Sequence, residues 1–266
     1  MTDRIDKELV RRSLVPSRSK AQELIEAGLV ICNNDKIFKS NHLVSETDSI
    51  VILENDKLKY VSRGGLKLEK AIDIFNVNFT NLNVMDIGSS TGGFTDCALK
   101  HGAKKVLAID VGTNLMHESL KNDKRVELYE KTNFKNLTHN FFENIDIIVC
   151  DVSFISLKQI IEKIKNERIK IDVICLIKPQ FECGKEIATK YKGIILNKNI
   201  HENIINELIT CFNNFGFYIQ NFTFSPISGG DGNIEYLALL TNKKDKNKYL
   251  NINKIVEEAF DSLRED

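Results

Sequence analysis

From residue 82 onward, short apolar runs alternate with longer amphipathic stretches, and this alternation restricts the possible folds more than any other feature. Six of these seven runs consist almost entirely of apolar residues, which is typical of strands that are buried on both faces of a sheet. Helical stretches separate most of them, so the pattern predicts a doubly wound, mostly parallel α/β sheet. No helix is evident between the last two runs, which predicts an antiparallel hairpin at one edge. The predicted strands are 84–87, 106–110, 126–129, 145–150, 173–177, 217–224 and 234–240.

The first 60 residues follow a different pattern, which predicts a compact α+β unit of two short helices and a small sheet. The first helix has an apolar face and is interrupted by a proline. The second begins at a serine cap and ends before a glycine, where helices commonly stop. An Asn-Asn-Asp turn then predicts a hairpin, and a further apolar run supplies another strand. In chain order these features are Ile5, Leu9 and Leu14, Pro16, Ser17, the helix at 18–27, Gly28, the turn at 33–35 and the strand at 48–53.

The composition is that of an ordinary globular protein, with 42% hydrophobic and 28% charged residues in a chain of 266. None of the six cysteines forms a C-x-x-C pair, so we expect free buried thiols in a reducing cytosol and no metal site. The first residues form no apolar signal, and no apolar run approaches the roughly 20 residues of a membrane span. We therefore expect a cytoplasmic protein without a membrane partner. Because the formal net charge is zero, any nucleic-acid-binding surface has to be local.

Positions 11–20 concentrate positive charge in the first unit. Arg11, Arg12, Arg18 and Lys20 lie there without an acidic residue among them. Such a group near a helix N-terminus can contact several phosphates, but it can equally form a solvated helix face, and charge alone leaves both open. The segments at 4–6, 17–21 and 24–30 resemble the αL RNA-binding motif of the ribosomal protein S-four superfamily. This resemblance favours RNA binding.

A glycine-rich turn follows the first predicted strand of the α/β unit. It reads Asp-Ile-Gly-Ser-Ser-Thr-Gly-Gly-Phe at 86–94 and opens a helix, which is where an open α/β sheet binds a nucleotide-like ligand. Neither the dinucleotide fingerprint nor the P-loop pattern fits it. Asp86 suits a cofactor with a cationic centre and no phosphate, while Asp110, at the end of the second strand, can accept hydrogen bonds from both ribose hydroxyls. These features predict S-adenosylmethionine as the cofactor.

Charged residues also follow two later strands, and they are catalytic candidates because they lie beside the expected cofactor crevice. Asp151 follows the fourth strand and Lys178 the fifth. Burial disfavours the charged form of a lysine and lowers its pKa, which would make Lys178 a usable base. The alternative is a lysine that extends outward from the sheet edge into solvent.

Five motifs, at 63–68, 86–94, 151–156, 178–182 and 232–236, occur in the order typical of the TlyA family. The chain resembles this family from residue 4 to about residue 240. Its members are rRNA 2′-O-methyltransferases with an FtsJ-like catalytic domain, and they were historically also called haemolysins. The resemblance implies a Rossmann-like class I S-adenosylmethionine-dependent methyltransferase fold with a seven-stranded sheet. Together with the residue pattern, it predicts an RNA-binding domain at 1–58, a linker at 59–62 and a catalytic domain at 63–242. The residue pattern alone predicts a charged helical tail at 243–266, whose role stays open.

The resemblance further implies roles for individual residues. A catalytic Lys-Asp-Lys-Glu tetrad falls on Lys67, Asp151, Lys178 and Glu235. The implied cofactor contacts are Asp86, Gly88, Ser89, Thr91, Gly92, Gly93, Phe94, Asp110, Val111 and Asp151. The implied RNA contacts are Arg4, Arg11, Arg12, Arg18, Lys20 and Arg63.

The expected reaction is methyl transfer to the 2′-hydroxyl of cytidine in 16S rRNA, 23S rRNA or both, and the N-terminal extension at 4–9 favours both. Our hypothesis is that Lys178, neutralised by burial and by the like charge of Lys67, orients or deprotonates the 2′-hydroxyl.

Two other functions stay open at this point, and the oligomeric state is not determined. A membrane-lytic protein would agree with the haemolysin name, but the sequence has no membrane span and no long basic amphipathic helix. A ribosome-assembly factor that binds RNA through an inactive methyltransferase fold is the second alternative. The intact tetrad and glycine loop argue against it.

Overall fold

The computed structural model describes residues 2–15, 18–26, 28–53, 59–244 and 246–263. The chain divides into two compact units, Met1–Arg63 and Gly64–Asp266. Each unit has a hydrophobic core of its own.

The first unit is a small α+β fold in which two helices pack on a three-stranded antiparallel sheet of order β3-β2-β5. The predicted hairpin and the third strand are confirmed, since β2 pairs with both β3 and β5. A separate antiparallel pair, β1 with β4, was not predicted because three-residue strands carry too little alternation to be seen. The elements are β1 (Thr2–Arg4), α1 (Ile5–Arg11), α2 (Arg18–Glu26), β2 (Val30–Cys32), β3 (Asp35–Ile37), β4 (Leu43–Ser45) and β5 (Ile50–Ile52).

Both helices of this unit end in the same way, and this corrects the extent of the first one. Ser13 and Gly28 have positive φ angles of 56° and 65°, and the residues that follow them donate backward to Leu9 and Leu24 across 2.9 Å. This arrangement is a Schellman motif, which stops a helix. Leu14 therefore lies outside α1 and is 42% exposed, contrary to the prediction. Pro16, Ser17 and residue 27 lie outside the described residues.

The second unit is built on a seven-stranded sheet of order β11-β12-β10-β9-β6-β7-β8 in the described part of the chain. The strands from β10 to β8 are parallel, and β12 is antiparallel to both β10 and β11. The doubly wound sheet and its antiparallel hairpin are confirmed. The last strand, β12, lies between β10 and β11, so that β11 forms the edge of the sheet. The strands are β6 (Asn83–Ile87), β7 (Lys105–Ile109), β8 (Val126–Tyr129), β9 (Ile147–Cys150), β10 (Asp172–Ile177), β11 (Tyr218–Phe224) and β12 (Tyr236–Thr241).

Helices cover both faces of this sheet. Alternate residues of β6 face opposite sides, so that Met85 and Ile87 join the core formed with α6, α9 and α10, whereas Asp86 faces α4. The terminal helix α10 buries Val256 and Phe260 in that core, which makes it a part of the domain. The helices are α3 (Gly64–Phe75), α4 (Gly93–Lys100), α5 (Glu118–Lys121), α6 (Leu157–Asn166), α7 (Pro179–Glu182), α8 (Gly184–Lys190), α9 (Lys198–Asn214) and α10 (Ile252–Leu263), with 3₁₀ turns at Phe134–Asn136 and His139–Phe142.

Candidate active site

The glycine loop lies where the carboxyl ends of β6 and β9 meet. Gly88 and Gly92 have φ angles of 81° and 94°, a region that residues with a Cβ atom rarely occupy. A Cβ atom on Gly88 would lie 2.6 Å from the carbonyl oxygen of Asp151. The backbone amide of Asp151 also donates to the carbonyl of Ile87 across 3.1 Å. The loop and the predicted catalytic aspartate are therefore packed directly against each other.

Asp86 is fully buried beneath this loop. Its Oδ2 accepts a hydrogen bond of 2.6 Å from Thr95 Oγ1, while Oδ1 has no hydrogen-bond partner among the described residues. Burial, opposed by the Thr95 hydrogen bond and reinforced by the charges of Asp151 and Asp110, raises the pKa of Asp86 to about 7. Ser89 Oγ is likewise buried without a partner in the described part of the chain. Buried polar atoms of this kind are rare unless a ligand or solvent satisfies them.

Asp110 closes the other side of the loop. Its Oδ2 accepts from the backbone amide of Ser90 at 2.8 Å, and its Oδ1 accepts from the amide of Gly112 at 2.7 Å. Each carboxylate oxygen can accept a second hydrogen bond, so Asp110 is held in position with acceptor capacity remaining. Val111 beside it is 70% exposed.

The other predicted cofactor residues occupy different environments. Thr91 is half-buried, and its carbonyl accepts from the amide of His117 at 3.1 Å. Gly93 is the first residue of α4, whereas Phe94 is buried in that helix.

Lys178 and Asp151 form a contact at the ends of adjacent parallel strands. Lys178 Nζ lies 2.6 Å from Asp151 Oδ1 and donates to Ser153 Oγ at 3.1 Å. The Lys-Pro sequence explains the placement, because Pro179 starts α7 and keeps the lysine before it extended, with φ −113° and ψ 99°. The side chain of Lys178 is only 10% exposed, so it does not extend into solvent.

Lys67 and Glu235 form a second contact, although 168 positions separate them in the chain. Lys67 Nζ donates to Glu235 Oε2 across 2.6 Å, and both side chains are almost fully buried. Glu235 immediately precedes β12, and Lys67 lies in the first turns of α3. Since the charge of Glu235 also acts on Lys178, the two lysine–carboxylate contacts belong to one cluster.

The ionisation of Lys178 differs from the hypothesis drawn from the sequence. Burial does lower the pKa of Lys178, but the carboxylates of Asp151 and Glu235 raise it more, so the pKa lies above that of an ordinary lysine. Lys178 is therefore an ammonium group at neutral pH. This direction favours the orienting role in the hypothesis over the neutral base, because the sequence indicated the burial but not the two carboxylates that compensate for it.

Residues 60–242 match the family model of the FtsJ-like methyltransferases, and residues 3–50 match that of the S4 domain. Hemolysin A of Brachyspira hyodysenteriae is 45% identical to this chain over 88% of the chain and 98% of its own length. The 16S/23S rRNA (cytidine-2′-O)-methyltransferase TlyA of Mycobacterium tuberculosis is 34% identical over 91% of each protein. A solved structure from Streptococcus thermophilus that is assigned to the hemolysins superposes with a TM-score of 0.78 at 36% identity, covering 99% of this chain and 97% of that one. The chain belongs to the TlyA family of FtsJ-like methyltransferases.

Two residues near the site of this TlyA protein were not singled out from the sequence. Glu182 accepts from Ser156 Oγ at 2.6 Å and from the amide of Leu157 at 2.7 Å, which ties the loop after β9 to α7. Phe154 is 91% exposed and has a φ angle of 64°, which is uncommon for a residue other than glycine. An exposed aromatic residue with this backbone angle, next to the Ser153 that contacts Lys178, could not be recognised without the tertiary structure.

The predicted RNA-binding arginines of the S4 domain all contact buried acids of the same domain. Asp6 accepts from Arg4 at 3.0 Å and from Arg18 at 2.9 Å. Glu8 accepts from Arg11 at 2.7 Å and from Arg12 at 2.6 Å.

These arginines differ in how much of the side chain is exposed to solvent and in their further contacts. Arg12 also donates to the carbonyls of residues 45, 46 and 48 and is only 24% exposed, which makes it a structural residue of the domain. Arg11 and Arg18 keep 57% and 52% of their side chains exposed. Lys20 in α2 and Arg63, directly before α3, are half-buried.

In the part of the TlyA chain that the structure describes, every helix is too short or too polar to cross a membrane.

Proposed function

We propose that this TlyA protein transfers a methyl group from S-adenosylmethionine to the 2′-hydroxyl of cytidine in ribosomal RNA. The observation that carries the proposal is the cluster of Lys178 with Asp151 and Lys67 with Glu235, at 2.6 Å each, packed against the glycine loop. The name of the Mycobacterium tuberculosis relative specifies cytidine 2′-O-methylation of 16S and 23S rRNA, and we extend both targets to this chain. We also propose a cytoplasmic location, which an rRNA substrate supports.

The residues of the glycine loop fit S-adenosylmethionine. Asp86 Oδ1 and Ser89 Oγ are buried without protein partners among the described residues, so polar groups of the cofactor would satisfy them. Asp110 is held by two backbone amides with acceptor capacity left for two ribose hydroxyls. When bound, the cofactor supplies an electrophilic methyl group on a positively charged sulfur. An ionised Asp86 below the loop would stabilise that charge.

The lysine–carboxylate cluster would orient the RNA ribose and remove its proton. Lys178, as an ammonium group, donates a hydrogen bond to the 2′-oxygen and so fixes the direction of attack. The carboxylate of Asp151 would accept the hydroxyl proton as the 2′-oxygen takes the methyl group and the bond from that methyl group to sulfur breaks. Glu235 holds Lys67 and balances the charge of both lysines. Most of the acceleration then comes from positioning, since the cluster is buried and its members fix one another.

The S4 domain would contribute further RNA contacts. Arg11 and Arg18 are more than half exposed while their inner nitrogens contact Glu8 and Asp6, so they can reach phosphates in a fixed orientation. Arg4, Lys20 and Arg63 stay in the proposed contact set, whereas Arg12 is assigned to the structure of the domain.

Methyl transfer to purified 16S and 23S rRNA, measured with S-adenosylmethionine labelled in its methyl group, tests the proposal. We expect label in cytidine, at a position whose 3′ phosphodiester bond resists alkaline cleavage because its 2′-oxygen is blocked. The Asp151→Asn variant should bind the cofactor and transfer at most about 1% of the wild-type label. Label on a base, or no transfer despite measurable cofactor and RNA binding, would contradict the assigned reaction.

A further inference from the structure

A lysine-rich groove lies at the edge of the sheet opposite to the active-site cluster. Its walls come from the amino ends of β10 and β11 and from the segment that follows β12, and its volume is about 960 Å³. Its principal cations, here called the lysine surface, are Lys170, Lys243, Lys244, Lys246 and Lys248. The sequence marked this segment as charged but gave it no role.

The groove and the active-site cluster lie at opposite ends of the same strand. Asp172, where β10 begins, pairs with Thr241 at the groove, whereas Lys178 follows Ile177 at the other end of β10. A rise of roughly 3.3 Å per residue puts the two ends about 20 Å apart. A nucleotide whose ribose is at the cluster therefore cannot also occupy the groove.

Backbone contacts hold the lysine segment in place against β11. The amide of Lys248 donates to the carbonyl of Ile219 at 2.9 Å, and the amide of Ile219 donates to Asn247 Oδ1 at 2.8 Å. Gln220 Nε2 donates to the carbonyl of Lys246 at 3.0 Å. Residues 246–248 thus have a fixed backbone position, from which the side chains of Lys246 and Lys248 extend.

The charge at this edge is locally positive even though the chain as a whole is neutral. Residues 243–248 contain four lysines and one acidic residue. Lys243 contacts Asp172 at 2.9 Å, and Lys170 donates to the carbonyl of Asn242 at 2.8 Å. Lys244, Lys246 and Lys248 are exposed. Tyr249, the next residue, is 88% exposed and offers an aromatic face beside these charges.

We propose that the lysine surface binds the phosphate backbone of a ribosomal RNA segment distinct from the one that is methylated. An extended row of lysines beside an exposed tyrosine fits a polyanion whose charges repeat along a chain and whose bases can stack. The S4 arginines each have an internal carboxylate partner, so additional phosphate contacts would add affinity that the S4 domain does not supply alone. The inference rests on the proposed rRNA substrate.

The test compares two triple variants of the full chain that each lose three positive charges. Lys244→Gln with Lys246→Gln and Lys248→Gln alters the lysine surface and leaves its backbone contacts intact. Lys104→Gln with Lys124→Gln and Lys254→Gln removes three exposed lysines elsewhere and is the control. Affinity for deproteinised 16S and 23S rRNA is measured between 50 and 200 mM salt, together with affinity for S-adenosylmethionine and kcat at saturating rRNA.

We expect the surface variant alone to bind rRNA more weakly and with a smaller salt dependence. Loss of three phosphate contacts reduces the slope of log K against log salt by about 2–3. The ratio of wild-type to variant affinity should therefore fall about 16- to 64-fold between 50 and 200 mM salt. Cofactor affinity and kcat should stay within about twofold, because the surface is about 20 Å from the reacting ribose.

Three results would overturn the inference. One is an unchanged rRNA affinity and salt slope, and another is an equal loss in the control variant. The third is unchanged rRNA binding with loss of binding to polyglutamate or to phosphatidylglycerol vesicles, which would assign the surface to a protein or a membrane. If the proposed function itself is wrong, the wild-type protein will bind rRNA without methylating it, which distinguishes this case from the three results above.

Discussion

The charge of Lys178 predicts how the rate of methyl transfer depends on pH. A neutral lysine base predicts a rate that rises between pH 7 and pH 9, whereas an ammonium group that orients the hydroxyl predicts a nearly constant rate, because each needs a different ionisation state. The perturbation is a change of pH from 7 to 9 in the wild type, repeated in Lys178→Arg and Lys178→Ala variants.

The structure sets the expected magnitudes. The carboxylates of Asp151 and Glu235 raise the pKa of Lys178 above its ordinary value of 10.5. At pH 7.5 less than about 0.1% of the protein would therefore carry a neutral Lys178. If the neutral form were required, kcat would increase about 100-fold between pH 7 and pH 9, because its population rises tenfold with each pH unit. With the ammonium group as the working form, we expect kcat to stay within about twofold over this range.

The assay is single-turnover methyl transfer to rRNA at saturating S-adenosylmethionine, so that effects on cofactor binding do not enter the rate. Lys178→Ala should lower the rate about 10²- to 10⁴-fold while cofactor and RNA affinities stay nearly unchanged, because the contact acts on the transition state. Lys178→Arg keeps a permanent positive charge and should be at least about tenfold faster than the alanine variant.

Two outcomes would refute this reasoning. One is a wild-type rate that rises about tenfold per pH unit between 7 and 9. The other is an arginine variant that is as inactive as the alanine variant although it binds both substrates normally. Either result would restore Lys178 as the base.

Four further predictions concern Asp86, Glu182 and Glu8. Burial raises the pKa of Asp86 to about 7, and the positively charged sulfur of a bound cofactor would favour its ionised form. Cofactor binding at pH 6.5 should therefore release a fraction of a proton, which calorimetry in buffers of different ionisation enthalpy detects. Because its pKa is raised, protonated Asp86 stabilises the folded state at low pH, and this stabilisation is lost as pH rises through about 7. Asp86→Asn should therefore flatten the pH dependence of thermal unfolding without cofactor. An unchanged pH dependence would contradict the raised pKa of Asp86. Glu182→Ala should lower kcat about 10- to 100-fold with cofactor affinity unchanged, because two hydrogen bonds to the loop after β9 are lost. Glu182→Gln keeps one acceptor and should recover part of the lost kcat. An equal loss of kcat in both variants would show that the negative charge, rather than the two hydrogen bonds, is required. Hydrogen bonds from Arg11 and Arg12 lower the pKa of Glu8 to about 2, against the opposing effect of burial. The contribution of Glu8 to the stability of the S4 domain is therefore present above pH 4.5 and lost as pH falls toward 2. Glu8→Gln should raise amide hydrogen exchange in residues 2–53 at pH 7, and exchange identical to wild type would show that the arginine contacts do not stabilise the domain.

Local features of the sequence were sufficient to predict much of the fold. The strands of the second unit begin and end within about two residues of the predicted positions, because buried parallel strands are continuous apolar runs that can be recognised without their partners. The glycine turn was evident for a similar reason, since only glycine tolerates the φ angles found at 88 and 92. The short strands β1 and β4 were missed because their pairing is a tertiary contact between segments about 40 residues apart.

The sequence by itself determined which residue types stand at the ends of the strands, and these residues, with the family resemblance, predicted the cofactor and the members of the lysine–carboxylate cluster. Only the tertiary structure decided how those residues act. The Lys67–Glu235 contact joins residues 168 positions apart, and the S4 arginines that looked available for phosphates contact buried Asp6 and Glu8. The pKa of Lys178 shows the physical reason. A pKa is the sum of desolvation and the field of every nearby charge, and in a folded chain most of those charges come from distant parts of the sequence.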